Sequence, residues 1–191
     1  MPADAITVTV RVTNTLEKLG VSYFIGGSLA STLYGMVRTT QDSDIIADLS
    51  AEHIPMLMDA LQNEFYIDNE MIADAIVHRS SFNIIHRESM FKVDVFIPRS
   101  RLFITMQFSR ARKETLSSDP QMVAFVASPE DILLAKLEWY RLGGEVSERQ
   151  WRDVLGVLKV QAGMLDVDYL SSMAHDLQVD DLLERVLKEA G

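Results

Sequence analysis

Two segments of this chain alternate apolar and polar residues with a period of two, and each carries carboxylates on its polar side. In Phe91–Ile97, the residues Phe91, Val93, Val95 and Ile97 form an apolar row, while Lys92 and Asp94 share the opposite one. In the segment 43–49, entered through Asp42, Asp42 and Asp44 fall on one side and Ile45, Ala47 and Leu49 on the other. Successive side chains alternate across a strand, so both segments read as strands with one face on a core. If the two are neighbours in one sheet, Asp94 lies beside Asp42 and Asp44.

The surrounding pattern mixes strands with helices. Residues 4–19 read as a helix with Ile6, Val10, Leu16 and Leu19 inward, although Thr7, Val8, Thr9, Val10, Val12 and Thr13 are β-branched and weaken it. Val21–Ile25 is a short buried strand that breaks at Gly26-Gly27. Residues 28–34 form a short helix ending at Gly35. Ser50 caps a helix in which Ile54, Leu57, Met58 and Leu61 recur at helical spacing, and residues 69–77 form a further helix. Ser81–His86 pairs antiparallel with Phe91–Ile97 across the polar stretch Arg87-Glu88-Ser89. A helix is expected near 101–108, with strand character near 112–116 and 122–126.

From about residue 128 the pattern is helical. Ser128-Pro129-Glu130-Asp131 sets a capping residue before a proline and opens a helix to about Arg141. Ser147-Glu148-Arg149-Gln150 is a second capping pattern, for a helix to about Gln161, and shorter helices follow near 167–175 and 179–189. The expected organisation is an α/β (α+β) core over 1–126 with a helical region over 127–191 packed on it. Trp139, Tyr140 and Trp151 are expected to pack adjacent helices together, and Met56, Met58 and Met164 to fill core gaps.

Composition narrows the chemistry. The 191 residues include no cysteine, which excludes disulfides, thiol nucleophiles and thiolate metal sites. The net charge is −10, which argues against a broad surface for duplex nucleic acid or anionic membrane. No apolar run approaches the roughly 20 residues that span a bilayer, and Met1-Pro2-Ala3-Asp4 does not read as a signal peptide, so a cytoplasmic location is expected. His53, His78, His86 and His175 are scattered without ligand spacing.

Three carboxylates held close repel one another and call for a cation unless protonated. Oxygen-only ligands suit a hard ion, and Mg²⁺ takes one or two carboxylates together with waters and substrate phosphates. Gly26 and Gly27 let the backbone approach a ligand, and the helix opening at Ser28 offers N–H groups to phosphate. An Asp-x-Asp by itself is a common solvated strand end, and a Gly-Gly by itself a common turn. The ordered combination is far more specific than either.

That combination resembles a known family. Gly27-Ser28, thirteen intervening residues and Asp42-Ser43-Asp44 resemble the signature of the nucleotidyltransferase (DNA polymerase beta-like) superfamily. The wider run Phe24–Ser31, Tyr34-Gly35, Arg38-Thr39-Thr40 and Asp42–Ile45 is similar to its minimal, AbiEii-toxin-like branch. Ser128–Leu137 and Arg152-Asp153-Val154 are similar to that branch's helical tail. The resemblance implies a mixed sheet flanked by helices, two Mg²⁺ ions (or Mn²⁺), and transfer of a nucleoside monophosphate from an NTP, ATP foremost, to an acceptor hydroxyl. Asp42, Asp44 and Asp94 would be metal ligands, with Asp94 also a base; Gly26, Gly27 and Ser28 would hold the triphosphate. A toxin–antitoxin or phage-defence role with a cognate partner protein is implied by the branch alone. Ser43 departs from the branch's usual aliphatic residue.

Three cations complete the expected site. Arg38, in the loop before Asp42, reaches a phosphate or pairs with an aspartate; Lys92 contacts phosphate or pairs with Asp94; Lys136 resembles the lysine that the branch places near the nucleotide. The alternatives to an enzyme of this class are a non-catalytic nucleotide- or partner-binding module on the same fold, and a phosphatase, which fits Asp-x-Asp but not the glycine turn.

Overall fold

The computed structural model describes residues 3–35 and 40–190. Among them, helices α1 (Ala3–Lys18), α2 (Gly27–Tyr34), α3 (Ile54–Leu61), α4 (Asn69–His78) and α5 (Leu102–Arg110) alternate with strands β1 (Tyr23–Ile25), β2 (Asp42–Ala47), β3 (Phe65–Tyr66), β4 (Ser81–His86), β5 (Lys92–Phe96), β6 (Arg112–Ser118) and β7 (Gln121–Val126). Helices α6 (Pro129–Leu142), α7 (Glu148–Val160), α8 (Val167–Asp176) and α9 (Asp180–Ala190) follow. The strands form one mixed sheet in the order β3-β4-β5-β2-β1-β7-β6. This is the expected α/β class with a C-terminal helical region.

The pairing that matters most lies at the centre. β1 runs antiparallel to β2, with Ile25 opposite Ile45, and β2 runs parallel to β5, with Asp44 opposite Asp94. β5 pairs antiparallel with β4, as the sequence implied. On the other side Ile25 meets Val126 of β7 in a parallel pair, so the entry to α6 arrives next to the Gly26 turn.

Helix α1 forms despite its β-branched residues because it is buried almost all round. Ala5, Ile6, Val8, Val10, Val12 and Leu16 join the core, a wider set than the expected inward stripe, and Leu19 is only partly buried. Its threonines satisfy themselves locally: Thr9 Oγ1 donates to the Ala5 carbonyl at 2.7 Å and Thr15 Oγ1 to that of Arg11 at 3.0 Å. Thr9 Oγ1 also lies 3.0 Å from Ser43 Oγ, whose residue is fully buried on the core face of β2. That hydrogen bond accounts for a serine where an aliphatic residue was expected, since a buried hydroxyl is tolerated once partnered.

Several elements depart from expectation. The two-residue strand β3 was not foreseen, being too short to leave a periodic pattern, and the β6–β7 hairpin is longer than the ambiguous pattern indicated. Tyr140 and Trp151 do pack α6 on α7, with ring centroids 5.2 Å apart, but Trp139 points outward and is more than half exposed. Met56 and Met164 are surface residues, and Met58 alone of the three packs against the core.

Helix α6 starts with two buried carboxylates, an arrangement that needs compensation. Ser128 caps the helix, accepting the Asp131 N–H at 3.2 Å and donating to the Asp131 carboxylate at 2.8 Å. The Tyr169 hydroxyl of α8 donates to the other Asp131 oxygen, and the Arg110 guanidinium lies 3.1 Å from Glu130 and stacks on the Tyr169 ring. Arg110 thus ties the end of α5 to α6 and α8. Replacing it (Arg110→Ala) removes the cation beside two buried carboxylates and is expected to cost about 3 kcal/mol of stability. Urea unfolding monitored by circular dichroism should show a lower midpoint with an unchanged slope.

Candidate functional site

The start of β2, the adjoining stretch of β5 and the turn between β1 and α2 meet in one place. Asp42 and Asp44 stand two residues apart on the face of β2 opposite the core, both partly exposed, and Asp94 stands across from Asp44 on β5. The neighbour relation assumed in reading the sequence is therefore present. Thr40 Oγ1 donates to the Asp42 carbonyl at 2.8 Å and lies 3.2 Å from its carboxylate, which holds the strand's entry.

Asp44 is the most constrained of the three. Burial pushes its carboxyl above the usual range, and the negative charges of Asp42 and Asp94 push it further. The Ser28 N–H, donated to its carboxylate, and the positive charge of Lys136 pull the other way. Gly27 has a φ of +56, and a Cβ built there would come within 1.7 Å of Asp44 Oδ2. A side chain at position 27 is thus excluded twice, by backbone conformation and by the carboxylate that fills its space. Gly26 N–H donates to the Asp44 carbonyl at 2.9 Å, locking the turn to the strand. Gly26 is the residue before α2, and its carbonyl accepts the Ala30 N–H.

The expected cations divide. Lys92 Nζ is 2.7 Å from Asp94 Oδ2, so it pairs with the carboxylate on its own strand face, and that contact raises the lysine's pKa. Asn83 of β4 lies 3.4 Å from the other Asp94 oxygen. Lys136 is buried on α6 and not solvated; its Nζ is 2.8 Å from Asp153 Oδ2 on α7. Its charge still acts on Asp44. Arg152, the neighbour of Asp153, turns back to the Glu148 carbonyl of its own helix. Arg38 lies outside the described residues.

One residue near the notch escaped the sequence reading. The Arg149 guanidinium, in the first turn of α7, donates to Ser28 Oγ at 3.2 Å across 121 positions of chain. The only local signal was its place in the capping pattern Ser147–Gln150, where Ser147 Oγ accepts the Gln150 N–H.

Among the described residues no three His, Cys, Asp or Glu side chains are already gathered into a metal cage. The donor set nonetheless suits a hard divalent cation: Asp42 and Asp44 supply only oxygen ligands, and their mutual repulsion is written into the raised Asp44 carboxyl. A cation there would relieve the repulsion that the carboxylates impose on one another.

The electrostatics make a signed prediction. A folded-state pKa raised above the unfolded value means that ionised Asp44 destabilises the fold, and the penalty disappears as pH falls through the folded pKa. Asp44→Asn keeps an oxygen for the Ser28 N–H while removing the charge, so it should stabilise the metal-free protein at pH 7 by about 1 kcal/mol, a Tm rise of about 2–4 °C. The gain should shrink as the buffer is acidified. Gly27→Ala should do the reverse, lowering Tm by displacing Asp44.

The chain matches no protein-family model and no curated protein sequence. Solved structures do match. An antigenic nucleotidyltransferase-like protein from Paracoccidioides brasiliensis is 18% identical with a TM-score of 0.55, over 97% of this chain and 93% of that one. The antibiotic-resistance protein ANT(2'')-Ia, in complex with adenylyl-2''-tobramycin, is 9% identical with a TM-score of 0.58, over 91% and 96%. The lincosamide antibiotic adenylyltransferase LnuA, lincomycin-bound, is 14% identical with a TM-score of 0.52, over 84% and 98%. At such identities the likeness is one of architecture: this chain has the fold of nucleotidyltransferase-like proteins and antibiotic adenylyltransferases.

Proposed function

We propose that the protein is a Mg²⁺-dependent nucleotidyltransferase that moves a nucleoside monophosphate from an NTP, ATP foremost, to an acceptor hydroxyl. The observation that carries this reading is the in-register placement of Asp44 beside Asp94, with Asp42 on the same face and the Gly27 backbone closed against the Asp44 carboxylate. In this reading residues 1–126 supply the catalytic half and residues 127–191 the helical region that delivers Lys136.

Asp42 and Asp44 would hold the divalent cations, two Mg²⁺ or their Mn²⁺ substitutes, with Asp94 as the third ligand. Bound cations supply neutralisation of the phosphates and a more acidic acceptor hydroxyl. The rest falls to the chain. Gly26, Gly27 and Ser28 would form the turn that cradles the triphosphate at the start of α2, and Lys136, held by Asp153, adds positive charge from α6. The acceptor oxygen forms a bond to the α-phosphorus as the bond to the bridging oxygen breaks, and pyrophosphate leaves with that electron pair. The acceptor proton goes to Asp94, which Lys92 and Asn83 hold in place. Arg38, four residues before Asp42 in the sequence, is proposed as a further phosphate contact, while Lys92 stays with Asp94.

The acceptor is a small molecule, a protein or an RNA end. The net charge of −10 favours a neutral or cationic acceptor over a long RNA. Antibiotics appear with two of the structural neighbours, tobramycin as its adenylyl adduct and lincomycin as a bound molecule, so a small hydroxylated acceptor is the first to try. The branch resemblance would set this chemistry in a cytoplasmic toxin–antitoxin or phage-defence pair.

A second reading, a non-catalytic nucleotide- or partner-binding module, is favoured by one feature: Asp94 is engaged by Lys92 at 2.7 Å. Thermal unfolding with each NTP, with and without Mg²⁺, tests nucleotide binding in either reading. At 100 times Kd the parent should gain about 2.7 kcal/mol of stability in a Mg²⁺-dependent way, and Asp42→Asn with Asp44→Asn should abolish the gain. Incubation with α-labelled NTPs and candidate acceptors separates the two readings. Transfer of label with release of pyrophosphate supports the enzyme, and Mg²⁺-dependent binding without transfer supports the module.

A further inference from the structure

We infer that Arg149 is a nucleotide-binding residue, the arginine through which the C-terminal helices grip the triphosphate; this rests on the proposed nucleotidyltransferase site. Arg149 reaches the notch from a distant part of the chain, and its Nη2 stands 3.2 Å from Ser28 Oγ. Ser28 is the residue whose N–H meets the Asp44 carboxylate, so the guanidinium sits one residue's width from the carboxylate cluster. Arg11, Arg101, Arg110 and Arg141 each meet a carboxylate. Arg149 is exposed and, among the described residues, its hydrogen bond goes to a neutral hydroxyl.

The geometry of α7 supports the same assignment. Arg149 and Asp153 are four residues apart and lie on one helix face, the face turned to α2 and α6. Asp153 uses that face to hold Lys136, whose charge already acts on Asp44. A single helix therefore presents one cation directly and positions a second. The planar fork of a guanidinium matches phosphate oxygens, and a charged acceptor gives it a stronger hydrogen bond than a serine hydroxyl does.

This assignment concerns the phosphates beyond the first, because the site needs extra positive charge only where negative charge accumulates. Binding of ATP, GTP, CTP and UTP, and of the four monophosphates, each with Mg²⁺, is measured by titration calorimetry for the parent, Arg149→Ala and Arg149→Lys. The expected result is a rise of about 10- to 100-fold in Kd for the preferred triphosphate in Arg149→Ala, with partial recovery in Arg149→Lys. Monophosphate binding should change by less than about 2-fold, and the Tm of the ligand-free variants should match the parent. If the parent binds triphosphate and Arg149→Ala binds it equally well, this assignment fails and the proposed function stands. Equal losses for tri- and monophosphate, with a lowered ligand-free Tm, would make Arg149 a strut between α7 and α2 and would also overturn it. Failure of the parent to bind any triphosphate would overturn both.

Discussion

The parallel pairing of β2 with β5 is the constraint on which the rest of the molecule turns. It sets Asp44 directly across from Asp94 and leaves Asp42 two residues up on the same face. Parallel neighbours need a long crossover, and the 44 residues between the two strands supply it through α3, β3, α4 and β4. The cost is electrostatic. Burial and two like charges raise the Asp44 carboxyl, an expense that a structure shaped for stability alone would avoid.

The core and the helices around the site hold that arrangement in place. The Thr9–Ser43 hydrogen bond fastens the core face of β2 to α1, opposite the carboxylates. The left-handed Gly27 closes on Asp44 from the other side. Lys136 and Asp153 form a buried pair between α6 and α7, and the network around Arg110 fixes where α6 begins. The helical region is accordingly continuous with the sheet's core and lends charge to the same notch.

Much of this was legible in the sequence because it is local. Period-two alternation places Asp42, Asp44 and Asp94 on polar strand faces, and serine caps locate the starts of α6 and α7 to the residue. What was not legible is long-range. Nothing in residues 42–44 states which strand lies beside them, nothing in the capping pattern at 147–150 tells that Arg149 meets Ser28, and Ser43 reads as an anomaly until Thr9 is seen against it. Trp139 misled for a related reason: aromatic residues on adjacent helices suggest packing, but only Tyr140 faces Trp151. The chemical role of the carboxylates rests on resemblance and on donor chemistry, since architecture at 9–18% identity speaks to fold alone.

The most direct measurement is anomalous X-ray diffraction from crystals grown with Mn²⁺ and a non-hydrolysable nucleoside triphosphate. The expected result is an anomalous peak at the carboxylates of Asp42 and Asp44, with the triphosphate against Gly27 and Ser28. Bound nucleotide with no metal at those carboxylates, or metal held elsewhere, would contradict it.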